Sequence, residues 1–258
     1  MAAYDAIIVG AGQAGPALAG RLTAAGWTVA LVERKLFGGT CANTGCTPTK
    51  ALVASAYAAQ LNRRAEDFGV APSIAVMMDM RRVRQRIEAI VTESREGVEQ
   101  CLRQMERCTI YQGAARFVSP SQLRVGGELL TAPHIFLNVG SRPAIPNLPG
   151  IDTVPYLTSS TILALDSLPP KLAVVGGGYA GLEFAQIYRR FGSEVTVIQR
   201  AARLIADEDE DVSNAVREIL EAEGIEVHLN AECVSLRSDG DDIAVRSEEH
   251  TSELQSPC

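Results

Sequence analysis

Apolar and polar positions along the chain follow two alternating periods. Short runs rich in Val, Ile and Leu have the composition of buried parallel strands, and segments with apolar residues at helical spacing lie between them. The predicted strands are residues 4–9, 28–32, 171–175, 194–198 and 225–229, and the helices between them are residues 18–25, 182–191 and 212–223. This alternation predicts an α/β fold with parallel sheets.

The segment between the predicted strands at residues 28–32 and 171–175 has a different pattern. Residues 61–108 carry apolar positions at helical spacing among charged ones, which predicts one or two long amphipathic helices with a break around Pro72. Short strands are then predicted at residues 112–117, 122–125, 128–131 and 134–139. Prolines and glycine cluster at residues 143–150, and this cluster predicts a boundary between domains at 1–147 and 148–245.

A glycine-rich turn separates the first predicted strand from its helix. Gly10, Gly12 and Gly15 match G-x-G-x-x-G, a spacing that allows a tight turn and brings the backbone close to a pyrophosphate at a helix N-terminus. The second strand is followed by Glu33, at the place where such folds bind the ribose hydroxyls. Strand, helix, second strand and acid are all present, so this unit predicts a dinucleotide site.

The same glycine spacing recurs in the second half of the chain. Gly176, Gly178 and Gly181 follow the strand at residues 171–175, and a helix and a further strand come after them. One such motif alone is weak evidence, because short glycine patterns arise by chance. Two complete units in one chain, one of them beside a cysteine pair, predict two nucleotide-binding domains.

The residues after the second unit's second strand indicate which coenzyme it binds. NAD sites usually carry an acid at this place, whereas NADP sites omit it and place arginine near the 2′-phosphate. Here Gln199 occupies the place, and Arg200 and Arg203 follow. We therefore expect NADPH rather than NADH, since guanidinium groups bind phosphate well. Alternatively, both arginines are ordinary surface residues whose charge balances the acidic residues 207–211.

Two cysteines, Cys41 and Cys46, lie among small residues directly after the first dinucleotide unit, ahead of an apolar run at residues 51–59 that predicts a helix. A zinc site would need two further ligands, usually a second close cysteine pair or histidines. The chain has three histidines and no second close cysteine pair, so we predict no metal site. A redox pair is favoured, because a helix N-terminus stabilises a thiolate and Lys50 adds positive charge nearby.

The composition narrows the classes of partner. The chain has 258 residues, 47% of them apolar and 21% charged, and a formal net charge of −7. These values are those of an ordinary globular protein. No basic patch with interleaved aromatic residues occurs, so nucleic acid is not an expected partner. Because no apolar stretch reaches membrane-spanning length and the first residues lack a signal peptide, we expect no membrane partner and a cytoplasmic location.

The motifs together resemble the class I pyridine nucleotide-disulfide oxidoreductases, a family that includes glutathione reductase, dihydrolipoamide dehydrogenase and mercuric reductase. The resemblance runs from Tyr4 to about Val245, and the run from Gly39 to Lys50 looks like the family's redox-active disulfide motif. Its Gly-Gly-Thr-Cys start and Thr-Pro-Thr-Lys end look most like mercuric reductase and its FAD-containing relatives. The resemblance implies two Rossmann-like domains of the three-layer ββα type, which bind FAD and NAD(P)H.

The resemblance also implies roles for individual residues. Cys41 would be the thiol that exchanges with substrate, and Cys46 the charge-transfer thiol beside the flavin. Lys50 would lie near flavin N5 and pair with Glu183, and Tyr179 would cover the nicotinamide pocket. Further implied FAD contacts are Gly39, Thr40, Gly113, Ala115, Gly140 and Ser141, the last two in a segment that begins Asn138-Val139 where the family has Ala-Thr.

The activity implied is transfer of a hydride from NADPH through FAD to the Cys41–Cys46 pair, and then to a small-molecule disulfide or a metal ion such as Hg(II). Family members are longer and homodimeric, so we expect the dimer-interface domain to be missing from this chain. Residues 246–256 match one reading frame of a common short-read sequencing adapter, and we interpret residues 246–258 as a non-native tail. The alternatives are a truncated nucleotide-binding fragment without turnover, and a parent of the lipoamide dehydrogenase or glutathione reductase type.

Overall fold

The computed structural model describes residues 1–71, 77–240 and 242–249. The predicted helix break at Pro72 and the end of the predicted tail, residues 250–258, lie outside the described residues. The beginning of that predicted tail is described, and its Ser247 pairs with Cys233 in a β-hairpin.

The chain forms two compact units. The first contains Met1–Ala51 and Gln85–Arg142, and the second contains Leu52–Arg84 and the chain from Pro143 onward. The second unit thus resumes within the proline and glycine cluster. The assignment of residues 1–147 and 148–245 to two separate binding domains stays a prediction.

The first unit contains two sheets with flanking helices. Its strands are β1 (Ala2–Ala3), β2 (Ala6–Val9), β3 (Val29–Glu33), β4 (Cys108–Gln112), β5 (Ala115–Ser119), β6 (Gln122–Val125), β7 (Glu128–Thr131) and β8 (His134–Leu137). Its helices are α1 (Ala14–Ala24) and α2 (Gly39–Thr44), with the start of α3 (Cys46–Arg63) and most of α4 (Met80–Gln104). The strand orders are β4-β3-β2-β8, all parallel, and β1-β7-β6-β5.

Both faces of this unit's parallel sheet are covered. Side chains alternate across a strand, so neighbouring residues of β2 pack into different clusters. Ile8 of β2 belongs to a buried cluster with Ala19 of α1 and Leu102 of α4. Its neighbour Ile7 belongs to a second cluster, with Leu123 and other residues of the β5–β7 sheet. The predicted three-layer ββα architecture is therefore confirmed.

One predicted strand of the first unit is wrong. The sequence places residues 112–117 in a single strand, whereas β4 ends at Gln112 and β5 begins at Ala115. Gly113 between them has φ +152°, a conformation that other residues rarely adopt and that takes the chain out of the first sheet. Residues 112–117 therefore belong to strands of two different sheets.

The second unit repeats the alternation of strand and helix. It contains β9 (Lys171–Val175), α5 (Tyr179–Phe191), β10 (Glu194–Ile198), α6 (Glu210–Ala222) and β11 (Glu226–His228), followed by a hairpin of β12 (Ala231–Asp239) and β13 (Asp242–Glu249). The first three strands form a parallel sheet in the order β11-β10-β9. The bounds of β9 and β10 are those predicted from the sequence, and the predicted second nucleotide-binding fold is confirmed.

Helix α5 packs against the parallel sheet of the second unit and has more buried side chains than α6. Phe184, Ala185 and Tyr188 are buried, and the Tyr188 hydroxyl donates a hydrogen bond to the Ile162 carbonyl at 3.0 Å. Burial raises the pKa of Tyr188 to about 12. Tyr188 thereby fastens the connector before β9 to the nucleotide-binding fold.

Candidate functional site

The first glycine turn is built so that only glycine fits at its ends. Gly10 follows β2 with φ +109°, and its N–H donates to the Val32 carbonyl at 2.7 Å. A methyl group on Gly10 would overlap the carbonyl oxygen of Asn138, and one on Gly15 would overlap the carbonyl oxygen of Gly10. The turn therefore brings α1 against the end of β2, as pyrophosphate binding at a helix N-terminus requires.

Glu33 closes this turn from the end of β3. Its side chain is only 9% exposed, Oε2 accepts a hydrogen bond from the Ala11 N–H at 2.9 Å, and Oε1 accepts one from the Lys35 N–H at 2.8 Å. The Ala11 carbonyl accepts from the Gly38 N–H at 2.8 Å. Both polar groups of the Ala11 peptide are thus used to hold the segment after β3. Binding of ribose hydroxyls by Glu33 stays a prediction.

The segment held in this way leads directly to the cysteines. Gly39 begins α2 with φ +60°, and a methyl group on it would lie 2.6 Å from the Cα of Gly12. Thr40 follows and is exposed. Close approach of two glycine backbones therefore joins the glycine turn to the cysteine-bearing helix within one unit.

Cys41 lies in α2, and Cys46 is the first residue of α3. Cys41 is half-buried and Cys46 is exposed, and their side chains are hydrogen-bonded to each other. That bond, followed by burial, raises the pKa of the Cys41 thiol. Two adjacent thiols, one of them at a helix N-terminus, are the arrangement needed for reversible disulfide formation.

We expect Cys46→Ala to lower the pKa of Cys41, because the hydrogen bond to Cys46 is the largest cause of its increase. At a fixed pH near 8, Cys41 of the variant would contain more thiolate and react faster with iodoacetamide. The pH profile of Cys41 alkylation, followed by peptide mass spectrometry, measures this shift. Alkylation of the exposed Cys101 is the internal control, and an unchanged Cys41 profile would contradict the prediction.

Asn43 was not identified as a site residue from the sequence. Its Nδ2 donates to the carbonyls of Phe37 and Gly39 at 2.7 and 2.9 Å, which fixes the start of α2. The available signal was its place four residues after Gly39, a spacing at which a side-chain amide reaches backbone carbonyls.

The residues at the carboxyl ends of the first unit's parallel strands fit a dinucleotide. Gly10, Glu33, Gly113 and Asn138 end or follow β2, β3, β4 and β8, and ligands of such sheets bind at that edge. The Nδ2 of Asn138 is buried and has no hydrogen-bond partner among the described residues, so a donor is available beside the glycine turn. The predicted contacts Ala115, Gly140 and Ser141 lie at the start of β5 and after β8.

The second glycine turn repeats the first inside the second unit. Gly176 has φ +110°, its N–H donates to the Ile198 carbonyl at 2.8 Å, and a methyl group on Gly181 would overlap the Gly176 carbonyl. Gly178 precedes the first turn of α5. Gln199 takes the place of Glu33, since its Oε1 accepts a hydrogen bond from the Gly177 N–H at 3.2 Å. An amide therefore replaces a carboxylate where a coenzyme ribose is expected.

The predicted coenzyme residues lie near this turn. The exposed Arg200 is 3.9 Å from Glu232 (Nη1 to Oε1), and Nη2 of Arg203 donates to the Ala206 carbonyl at 3.3 Å. Tyr179 is the first residue of α5, and its hydroxyl donates to the Glu208 carboxylate, which raises the pKa of the Tyr179 phenol.

Lys50 and Glu183 lie in different units. Lys50 is an exposed residue of α3 in the first unit, and Glu183 is a half-buried residue of α5 in the second. Their pairing near the flavin stays a prediction.

The described parts of the chain contain neither a metal-binding cluster nor a membrane-spanning helix. No group of three or more His, Cys, Asp or Glu side chains there is arranged to hold a metal ion. None of the helices described in the structure combines the length and apolar character needed to cross a membrane.

The chain is similar to proteins of one family. The sequence model described as pyridine nucleotide-disulphide oxidoreductase matches residues 4–256. RclA of Escherichia coli (strain K12), described as a probable pyridine nucleotide-disulfide oxidoreductase, is 35% identical over 95% of this chain and 53% of its own length. A mercuric reductase of Bacillus cereus is 34% identical over 92% of this chain and 38% of its own length. A dihydrolipoyl dehydrogenase of Bacillus subtilis is 35% identical over 87% of this chain and 50% of its own length.

A solved structure agrees with the sequence relatives. The HOCl-induced flavoprotein disulfide reductase RclA from Escherichia coli superposes with a TM-score of 0.82 at 35% identity, covering 96% of this chain and 54% of that protein. The chain spans about half the length or less of these relatives. The family is known to use FAD and a pyridine nucleotide, which the two glycine turns fit. The chain therefore belongs to the pyridine nucleotide-disulphide oxidoreductase family.

Proposed function

We propose that this chain carries the nucleotide-binding and dithiol part of an NADPH-dependent, FAD-containing disulfide oxidoreductase. The observation that carries the proposal is the contact between Gly12 and Gly39, which joins the first glycine turn to the helix bearing Cys41. A dinucleotide cofactor on that turn and a thiol pair on the neighbouring helix are the two parts that such a reaction requires.

The reaction we propose interconverts a disulfide and a dithiol. NADPH and one proton supply the two electrons and two protons that break the Cys41–Cys46 bond, and two thiols form. Bound FAD would relay the hydride between the coenzyme and the sulfurs. In the second half, the dithiol reduces a small-molecule disulfide or a metal ion and closes again to the disulfide.

The chain's own residues have separate tasks in this scheme. Gly10, Gly12 and Gly15 admit the pyrophosphate of FAD, and Glu33 orients the turn that holds it. Cys46, the first residue of α3, would be the charge-transfer thiol beside the flavin. We propose that Gly39, Thr40, Gly113, Ala115, Gly140 and Ser141 complete the FAD site.

In the second unit, Gly176, Gly178 and Gly181 would bind the coenzyme pyrophosphate. Tyr179 and Glu183, at the start of α5, would face the nicotinamide, with Lys50 as the partner of Glu183. We propose a homodimeric parent protein in the cytoplasm, with its interface supplied by a domain beyond this chain. The names of the relatives support both a disulfide and Hg(II) as substrate, since one is a disulfide reductase and another a mercuric reductase.

Thiol counting tests the proposal with the chain itself. The purified chain is mixed with FAD, and flavin fluorescence quenching measures binding. Anaerobic NADPH should then release two thiols per chain beyond those of a Cys41→Ser/Cys46→Ser variant. NADPH oxidation without new thiols would overturn the proposal. Failure to bind FAD would favour the alternative of a fragment without turnover.

Arg203→Ala tests the preference for NADPH. A charged hydrogen bond contributes about 1.5 kcal/mol, so affinity for 2′,5′-ADP should fall about tenfold. Affinity for 5′-AMP should stay unchanged, because that ligand lacks the 2′-phosphate. Calorimetric titration measures both dissociation constants. Arg217→Ala is the matched control, since Arg217 pairs with Glu221 on α6. Equal loss for both ligands would contradict the assignment.

A further inference from the structure

The loop after β10, residues 200–206, carries both candidate phosphate-binding arginines, and we call it the arginine loop. Hydrogen bonds of one residue, Gly177, connect this loop to the second glycine turn. The Gly177 N–H donates to Gln199 Oε1 at 3.2 Å, and the Gly177 carbonyl accepts from the Ile205 N–H at 2.8 Å. Gln199 Nε2 in turn donates to the Arg203 carbonyl at 3.1 Å. Three hydrogen bonds therefore link the turn to the loop.

Packing around Gly177 leaves no room for a side chain. A methyl group on Gly177 would lie 2.6 Å from Cδ2 of Leu204 and 3.2 Å from Cβ and Cγ of Gln199. Leu204 is 1% exposed, and its carbonyl accepts a hydrogen bond from the Ser213 hydroxyl, so it has little space in which to retreat. Gly177 is one of the variable positions of the G-x-G-x-x-G spacing, so the motif itself does not require glycine there.

The loop also contains a residue in an unfavourable conformation. Ile205 has φ +37°, and a β-branched residue with positive φ is a genuine outlier. Such a conformation persists only where surrounding contacts determine it. Here those contacts are the Ile205 hydrogen bond to Gly177 and the burial of Leu204.

We infer that Gly177 and Gln199 are positioning residues that hold the arginine loop against the glycine turn and thereby set the preference for a 2′-phosphorylated coenzyme. The inference rests on the proposed use of NADPH. The Arg203 carbonyl accepts a hydrogen bond from Gln199, and the Arg203 guanidinium donates to the Ala206 carbonyl of the same loop. Without the hydrogen bonds of Gly177 and Gln199, the Arg203 guanidinium would still be present but would no longer be held at the 2′-phosphate. Pyrophosphate binding by Gly176, Gly178 and Gly181 would remain.

Gln199→Leu removes both side-chain hydrogen bonds at similar volume. We expect the ratio of the 5′-AMP to the 2′,5′-ADP dissociation constant to fall about fivefold to tenfold, the effect of one or two lost hydrogen bonds. The Gly177→Ala variant should lower the same ratio by wedging Leu204 away from the turn. Adding Leu204→Val to Gly177→Ala removes the overlapping methyl and should restore part of the ratio.

Calorimetric titration of the whole chain with the two nucleotides distinguishes the outcomes. Gln186→Leu is the matched control, because Gln186 lies on α5 and donates to Glu223 instead of the arginine loop. Equal weakening of both ligands in Gln199→Leu and Gly177→Ala, with folding verified by circular dichroism, would overturn the inference while leaving NADPH preference intact. A wild-type ratio near one would overturn both the NADPH proposal and the positioning role.

Discussion

Replacing Cys46 with serine should abolish formation of the internal disulfide. The Cys46 side chain lies beside that of Cys41 in the wild-type chain, so a mild oxidant such as diamide should join the two sulfurs. An intramolecular partner has an effective concentration of about millimolar or more, so exchange between separate chains at micromolar concentration would be at least about a hundredfold slower. The proposed release of thiols by NADPH should also cease, because the variant has no disulfide to reduce.

Intact mass and peptide mapping after alkylation measure this outcome. The wild-type chain should lose two alkylation sites on oxidation, at Cys41 and Cys46, and in the Cys46→Ser variant Cys41 should stay open to alkylation. Cys101→Ser is the matched control, because Cys101 is exposed on α4 and should not affect the ring closure. An internal disulfide that still forms in Cys46→Ser would show that Cys41 pairs with another cysteine.

Gly15→Ala should destabilise the first unit by about 3 kcal/mol, the upper range for overpacking of a well-packed site. The added methyl would overlap the carbonyl oxygen of Gly10, a backbone group without freedom to rotate away. Alanine in place of glycine would otherwise favour α1 by about 1 kcal/mol, so the steric term decides the sign. Urea unfolding measures the loss, and FAD affinity should fall with it.

Gly127→Ala is the control for that substitution. No atom lies within 4 Å of a methyl group built on Gly127. The free energy of unfolding of the Gly127→Ala variant should therefore stay within about 0.5 kcal/mol of the wild-type value. A Gly15→Ala variant as stable as Gly127→Ala would contradict the tight contact between α1 and the end of β2.

The strands and glycine turns were predictable because their signal is local. The apolar runs at residues 171–175 and 194–198 coincide with β9 and β10, since a buried parallel strand must be apolar on both faces. Helix α3 was predicted from residue 51, whereas it begins at Cys46. Pro48 is responsible for the difference, because proline looks like a break but is tolerated in the first turn of a helix.

The contacts within the candidate sites were less predictable. The sequence shows that Gly39 and Gly177 are glycines, but the backbone or side chain that each one admits comes from a distant part of the chain. The same holds for Glu33 and Gln199, which each bind a peptide 22 residues earlier. Side-chain chemistry predicted a ligand role for Glu33, and the fold adds a structural role for both residues.

The close contact between Gly12 and Gly39 limits how the dithiol could be transplanted. A designer who moved only the cysteine-bearing segment into another nucleotide-binding scaffold would need a host whose own turn offers a bare Cα at the matching point. An alanine there would push the incoming helix away from the turn. The cysteine segment must therefore be transferred together with the glycine turn against which it packs.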